Sequence, residues 1–160
     1  LIDGGRVPNG ADVGRRVVLP NQRQRRIGSL QLAALSHPHP DHALGLASTL
    51  ARVPVERLWL PAGAGDGPLV RAVREAAVGA KVEEVEAGWA TFTLGEATIE
   101  VLGPPTDREL LEWVNDRSMV LRVRLGEVEP GGVEIGMRVQ AVFREKREGN
   151  ILDIQYFKPI

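Results

Sequence analysis

The sequence predicts a mixed α/β fold, layered from strands and helices and ending in a β-rich tail. Three observations carry that expectation. Between residues 30 and 85, short apolar runs alternate with longer segments of helical spacing, the pattern of strands linked by helices. Residues 118–125 alternate strictly, with Met119, Leu121, Val123 and Leu125 on one side and Arg122 and Arg124 on the other. Beyond the glycine-rich stretch 126–132, the β-like runs are 139–143 and 151–157, joined by the charged turn 144–150.

Taken in order, Leu1-Ile2-Asp3-Gly4-Gly5 reads as a strand end running into a glycine turn. Residues 6–26 are polar and rich in Gly, Pro and Arg, and are expected to be mostly loop. The apolar run 30–35 fits a buried strand, although its length alone is also compatible with a helix. Leu44, Leu46, Leu50 and Val53 fall near helical spacing, and Pro54 stops that helix. Residues 55–60 form the next strand, followed by a glycine-rich loop at 62–68. Leu69, Val70, Val73, Ala76 and Ala77 describe an amphipathic helix ending near Gly79. Short strands are expected at 82–85, 91–94 and 98–102. Pro104-Pro105 breaks the chain, and 108–114 reads as a short helix.

At 160 residues the chain fits one domain, or a truncated domain with a small second module, and the change of character places the boundary between 1–126 and 127–160. A hydrophobic share of 43% with 26% charged residues is that of a soluble globular protein. No apolar run approaches the ~20 residues of a membrane span, and no signal peptide is visible. The chain opens at Leu1 rather than Met, the expectation being a fragment whose targeting segment lies elsewhere. With no cysteine, disulfides and thiolate metal sites are excluded, and any metal must be held by His, Asp or Glu. A net charge of −1 argues against a broad electrostatic grip on nucleic acid. The first 35 residues nevertheless carry Arg6, Arg15, Arg16, Arg23, Arg25 and Arg26 against only Asp3 and Asp12. Such a stretch can meet phosphates, but more often it is a solvated loop.

All three histidines lie within the run Ser36-His37-Pro38-His39-Pro40-Asp41-His42. Imidazole and carboxylate are the ligands that suit zinc and similar first-row metals. Pro38 and Pro40 are incompatible with a helix interior, so the ligands are expected on an extended loop at the end of the 30–35 strand. His37 and His39, two apart, would point the same way and share one metal. Asp41 and His42 would turn toward a second at the start of the following helix. In two-metal hydrolases the ions lie ~3.5–4 Å apart and supply a hydroxide at neutral pH.

The Ser-His-Pro-His-Pro-Asp-His run, followed by Gly45-Leu46, resembles the H-x-H-x-D-H signature of the metallo-β-lactamase superfamily. More narrowly it resembles the soluble domain of ComEC-type DNA-uptake proteins. Leu1-Ile2-Asp3-Gly4-Gly5, the segment from Asp12-Val13-Gly14 to Leu19-Pro20, and Asn115 to Arg122 agree with that narrower likeness, which spans residues 1–126. It implies an αββα sandwich, incomplete at this length, and a metal-dependent phosphodiesterase that cuts DNA during uptake. It also implies one or two Zn2+ or Mn2+ ions, with His37 and His39 on the first and Asp41 and His42 on the second, Asp41 also orienting the nucleophilic water. The implied location is the soluble domain of a bacterial cell-envelope protein.

The family completes its site with a bridging aspartate and further histidines, yet no histidine follows His42 here. Four ligands leave two ions under-coordinated, so weak or absent activity is expected. Residues 134–139 and 151–159 resemble instead the C-terminal strands of zinc-ribbon/OB-fold proteins that accompany thiolases and are linked to acyl-CoA binding. Three readings follow: a DNA-degrading hydrolase, a non-catalytic truncated or fused remnant, and an OB-fold module that contacts acyl-CoA or a thiolase-like enzyme through residues 127–160.

Overall fold

Two proline-opened helices and three parallel strands organise the front of the chain. The computed structural model describes residues 1–5, 12–94, 97–107, 117–124, 139–143 and 154–159. The chain divides into two units, Leu1–Val123 and Arg124–Ile160.

In the first unit a π-helical turn, Gly14–Val18, runs directly into helix α1, Leu19–Gln24. Then come strand β1 (Leu30–Ala34), helix α2 (Pro40–Leu50), strand β2 (Val55–Pro61), helix α3 (Pro68–Ala76) and strand β3 (Lys81–Val85). The order β1-β2-β3 is parallel throughout, with α2 and α3 as the crossovers. Parallel neighbours need such connections, which is why strand and helix periodicities alternate in the sequence. Both helices carry proline at their first positions, where the missing N–H costs nothing and the fixed φ suits the helix. A second sheet, β4 (Phe92–Leu94), β5 (Ala97–Gly103) and β6 (Val120–Arg124), follows in the order β4-β5-β6, with β4 and β5 antiparallel.

The alternation of side chains along β1 builds two cores, one on each face. Ala33 and Leu35 join Ala43, Leu46 and Leu50 of α2 and Val70 and Val73 of α3. Leu32 and Ala34 face the other way, meeting Trp59, Val85, Ile99, Val101 and Met119. Helices, parallel sheet and second sheet are therefore three stacked layers, and the mixed α/β class expected from the sequence is what forms. The outer face of the second sheet leaves Leu102 and Val120 about half exposed.

Several expectations need correction. The segment 6–26 is not mostly loop where it is described: residues 14–24 are helical. Leu19 and Gln22 are buried, and Gly14 meets α2 so closely that a Cβ there would lie 2.2 Å from the carbonyl oxygen of Gly45. The glycine that read as a loop signal is a close-packing contact. Leu44 does not join the core of α2 and is 48% exposed. Along β6, Met119 and Leu121 turn inward as expected, but Val123 lies beyond the packed region and is 47% exposed. The expected helix at 108–114 and Leu125 lie outside the described residues.

In the second unit, β7 (Val139–Phe143) and β8 (Ile154–Pro159) form an antiparallel two-stranded sheet with an irregular register at Val142/Phe143. Among the described residues these strands pair only with each other, while β6 pairs with β5. Among the described residues no helix is long and apolar enough to cross a membrane.

Candidate functional site

The histidine run follows the carboxyl end of β1, the end at which parallel α/β sheets place their ligands. His39 is extended (φ −101, ψ 153), and its carbonyl oxygen accepts from the amides of His42 and Ala43, so it caps α2. Pro40 opens that helix. Asp41 and His42 thus lie in its first turn, at the start of the following helix where the sequence placed them. The loop portion is Ser36 to His39, closed by a 2.9 Å hydrogen bond from the His39 amide to the His37 carbonyl.

This turn gathers the three imidazoles. The His37 ring lies 4.0 Å from that of His42 and 4.7 Å from that of His39, centroid to centroid. His37 is buried. Burial pushes its imidazole below the usual histidine range, and the neighbouring His42 and His39 push the same way, against Asp3 and Asp41. The ring is accordingly neutral at pH 7, the state in which an imidazole nitrogen can donate to a metal. Asp41 is the outermost member: its side chain is 59% exposed, and Oδ2 lies 3.5 Å from His42 Nε2.

One partner escaped the sequence reading. Asp3, which lies 39 residues before His42, places Oδ2 2.8 Å from His42 Nδ1 and accepts the Ser36 amide on Oδ1 at 2.7 Å. A carboxylate only accepts, so His42 Nδ1 carries a proton and donates it to Asp3. Carboxylate partners of this kind fix the tautomer of ligating histidines. Ser36 Oγ stands 3.1 Å from His37 Nδ1 and 3.2 Å from His42 Nδ1, between the two rings. Asp3 itself has φ 54, in the left-handed region that costs a non-glycine residue free energy and is often associated with functional sites. The sequence signal was present, an aspartate at a strand end before Gly4-Gly5, but nothing local linked it to His42.

The start of β6 also reaches the loop. The Met119 amide donates to the Ser36 carbonyl at 2.8 Å, bringing the backbone beside Ser118 to the histidine run. Asn115 lies outside the described residues.

The donor types fit a zinc-like ion, but their arrangement does not form a ready site. Among the described residues, no group of three or more His, Asp or Glu side chains is placed to hold a metal ion. Two imidazoles pack against each other, and their Nδ1 atoms are taken up by Ser36 and Asp3. A depression of about 370 Å3, lined by Leu50, Arg52, Pro54, Val55, Glu75 and Val78, lies at the opposite end of α2 from the histidines.

No protein-family model matches the chain, and no curated protein matches it.

Proposed function

We propose that the chain carries a metal-dependent hydrolase site of the metallo-β-lactamase kind, with the phosphodiester of DNA as its substrate. The observation that supports this reading is the gathering of His37, His39 and His42 at the carboxyl end of β1, with a carboxylate held against His42 Nδ1. The three-layer order of helices, parallel sheet and second sheet is compatible with the front part of an αββα sandwich. His37, His39, Asp41 and His42 would hold the metal, and Asp41 would also orient water. A bound zinc or manganese ion would supply a hydroxide near neutral pH. The choice of DNA rests on the likeness of residues 1–126 to ComEC-type proteins, and so does the placement in a bacterial cell envelope.

What this chain does for such a site is local. Asp3 holds His42 at Nδ1, Ser36 stands at Nδ1 of both rings, and burial keeps His37 neutral. These imidazoles must still turn apart before three donors meet at one point.

A second reading is a non-catalytic remnant of such a domain. It is favoured by the lack of three converging donors among the described residues and by the absence of any histidine beyond His42. The third reading, an OB-fold module for acyl-CoA or a thiolase-like enzyme, rests on the likeness of residues 134–139 and 151–159 alone.

Zinc and manganese titration of the metal-free chain, beside a His37→Ala/His39→Ala double variant, separates the first two. Binding of one or more equivalents that the variant loses supports the hydrolase site and justifies a nuclease assay. No binding at micromolar supply leaves the remnant.

A further inference from the structure

Arginine is concentrated at the front of the chain, and the structure changes what that concentration means. The segment expected to be a solvated loop is helical over residues 14–24 and fixed to the core through Gly14, Leu19 and Gln22, which are all buried. Arg16, Arg23 and Arg25 are exposed along or at the end of this element. Arg26 is exposed immediately after it, with its backbone in the left-handed region at φ 56. The guanidinium groups are therefore presented from an ordered support.

Among the described residues they are also uncompensated. The only carboxylates among the first 35 residues are Asp3 and Asp12. Asp3 is used by Ser36 and His42. Asp12 accepts from the Ser48 hydroxyl at 2.6 Å and the Arg15 amide at 3.0 Å, and pairs with the Arg15 side chain at 3.1 Å. Among the described residues, the side chains of Arg16, Arg23, Arg25 and Arg26 have neither a hydrogen bond nor an ion pair. A net charge of −1 for the whole chain thus conceals a local excess of four positive charges.

We propose that these four exposed arginines bind the phosphate backbone of a duplex nucleic acid. The guanidinium fork matches phosphate oxygens bidentately, which favours phosphate as the partner chemistry. A duplex carries one phosphate charge per roughly 1.7 Å of its axis, dense enough for several closely spaced arginines to find partners. An anionic membrane is the less favoured occupant, because residues 12–29 contain no Trp, Tyr or Phe to seat in a headgroup layer. The surface goes beyond the hydrolase reading and does not need it. Arg25 and Arg26 precede the start of β1, whereas the histidines follow its end, about 17 Å along the strand.

The test uses the full chain, a fluorescein-labelled 30-base-pair duplex and fluorescence anisotropy from 50 to 200 mM salt. Four phosphate contacts predict a slope of log affinity against log salt of about −3.6, which is roughly a 150-fold loss across that range. Arg16→Gln/Arg23→Gln/Arg25→Gln/Arg26→Gln keeps the helix propensity and should lose this binding and this slope while its far-UV dichroism and melting are unchanged. The parent should bind the duplex with the same affinity and slope in the presence of EDTA, which separates this test from the hydrolase reading. The proposal is overturned by equal affinity and slope in the quadruple variant, or by no parent binding at 50 mM salt. It is also overturned if the parent binds vesicles containing phosphatidylglycerol but not the duplex.

Discussion

Replacing Gly45 by alanine tests the packing on which the histidine loop depends. In an exposed helix interior the exchange stabilises by about 1 kcal/mol, because alanine loses less backbone freedom. At Gly45 the added Cβ would lie 2.1 Å from the carbonyl oxygen of Gly4, 2.6 Å from its carbonyl carbon and 2.7 Å from the oxygen of Gly5. All three are backbone atoms, with no flexible side chain to yield. Restoring ordinary contact near 3.5 Å requires α2 and the N-terminal segment to separate by roughly 1.4 Å. Overpacking of this kind costs about 1–3 kcal/mol, and the rigid neighbours place it at the upper end. After the propensity gain, a net loss of about 2 kcal/mol is expected, or a fall in melting temperature of roughly 4–8 °C for a chain of this size. Urea unfolding followed by far-UV dichroism measures it, with Gly28→Ala as the control, since nothing lies within 4 Å of a Cβ there. A G45A chain as stable as the parent, or more so, would refute the close approach of Gly4 to α2.

Leu46 and Leu44, two apart on α2, should separate cleanly in the same assay. Leu46 is 0% exposed within the helix-side core, so Leu46→Ala is expected to cost about 2–5 kcal/mol. Leu44, 48% exposed, should change stability by no more than about 0.5 kcal/mol when truncated. Equal losses at the two positions would contradict the face assigned to α2. Acid stability should depend on Glu83, whose carboxylate lies 2.7 Å from Lys81 Nζ and also accepts from Trp59 Nε1 and Arg57. Lys81 holds that carboxyl below its usual range, burial opposes this, and Trp59 and Arg57 add to the lowering. A carboxyl with a lowered folded value contributes stability above its ordinary pKa, about 4.3, and that contribution is lost as pH falls through the folded value. Denaturation at stepped pH should therefore show Glu83→Gln converging on the parent in strong acid and falling below it near neutrality. Parallel curves across the whole range would dismiss the network.

The parts of the fold carried by periodicity were readable from the sequence. Runs at 30–35, 55–60 and 69–77 announce β1, β2 and α3 because each buries a continuous or regularly spaced apolar set. Helix α1 gave no such signal: its buried members are one leucine and one glutamine, surrounded by arginine, proline and glycine. Its support comes from α2, where Gly14 meets Gly45, Ser48 and Thr49, and no local pattern encodes a contact 31 residues away. The histidine run was visible as composition, with His37 and His39 expected together and His42 turned toward a second ion, whereas the His37 ring packs against both of the others. The long-range partner was not visible, because hydrogen bonding between Asp3 and His42 depends on tertiary register.

That register can be followed atom by atom. Ile2 bridges Ala34 in parallel, with the Ala34 amide donating to the Leu1 carbonyl and the Asp3 amide to the Ala34 carbonyl. The N-terminal segment therefore borders β1 on the side away from β2, and it ends level with the loop that follows β1. There the chain turns through Asp3 at positive φ, and the Gly4 amide donates to the His42 carbonyl at 2.9 Å. His42 is consequently gripped twice, at its backbone by Gly4 and at its ring by Asp3. Any side chain at Gly4 would strike α2, since a Cβ would come within 1.7 Å of the Leu46 amide nitrogen. The glycine is the condition for the grip: it lets the strand end approach the helix closely enough for the preceding carboxylate to reach the imidazole. The same sheet geometry that buries Leu32 and Ala34 on one face and Ala33 and Leu35 on the other thus sets the orientation of a histidine that the sequence alone leaves free to turn.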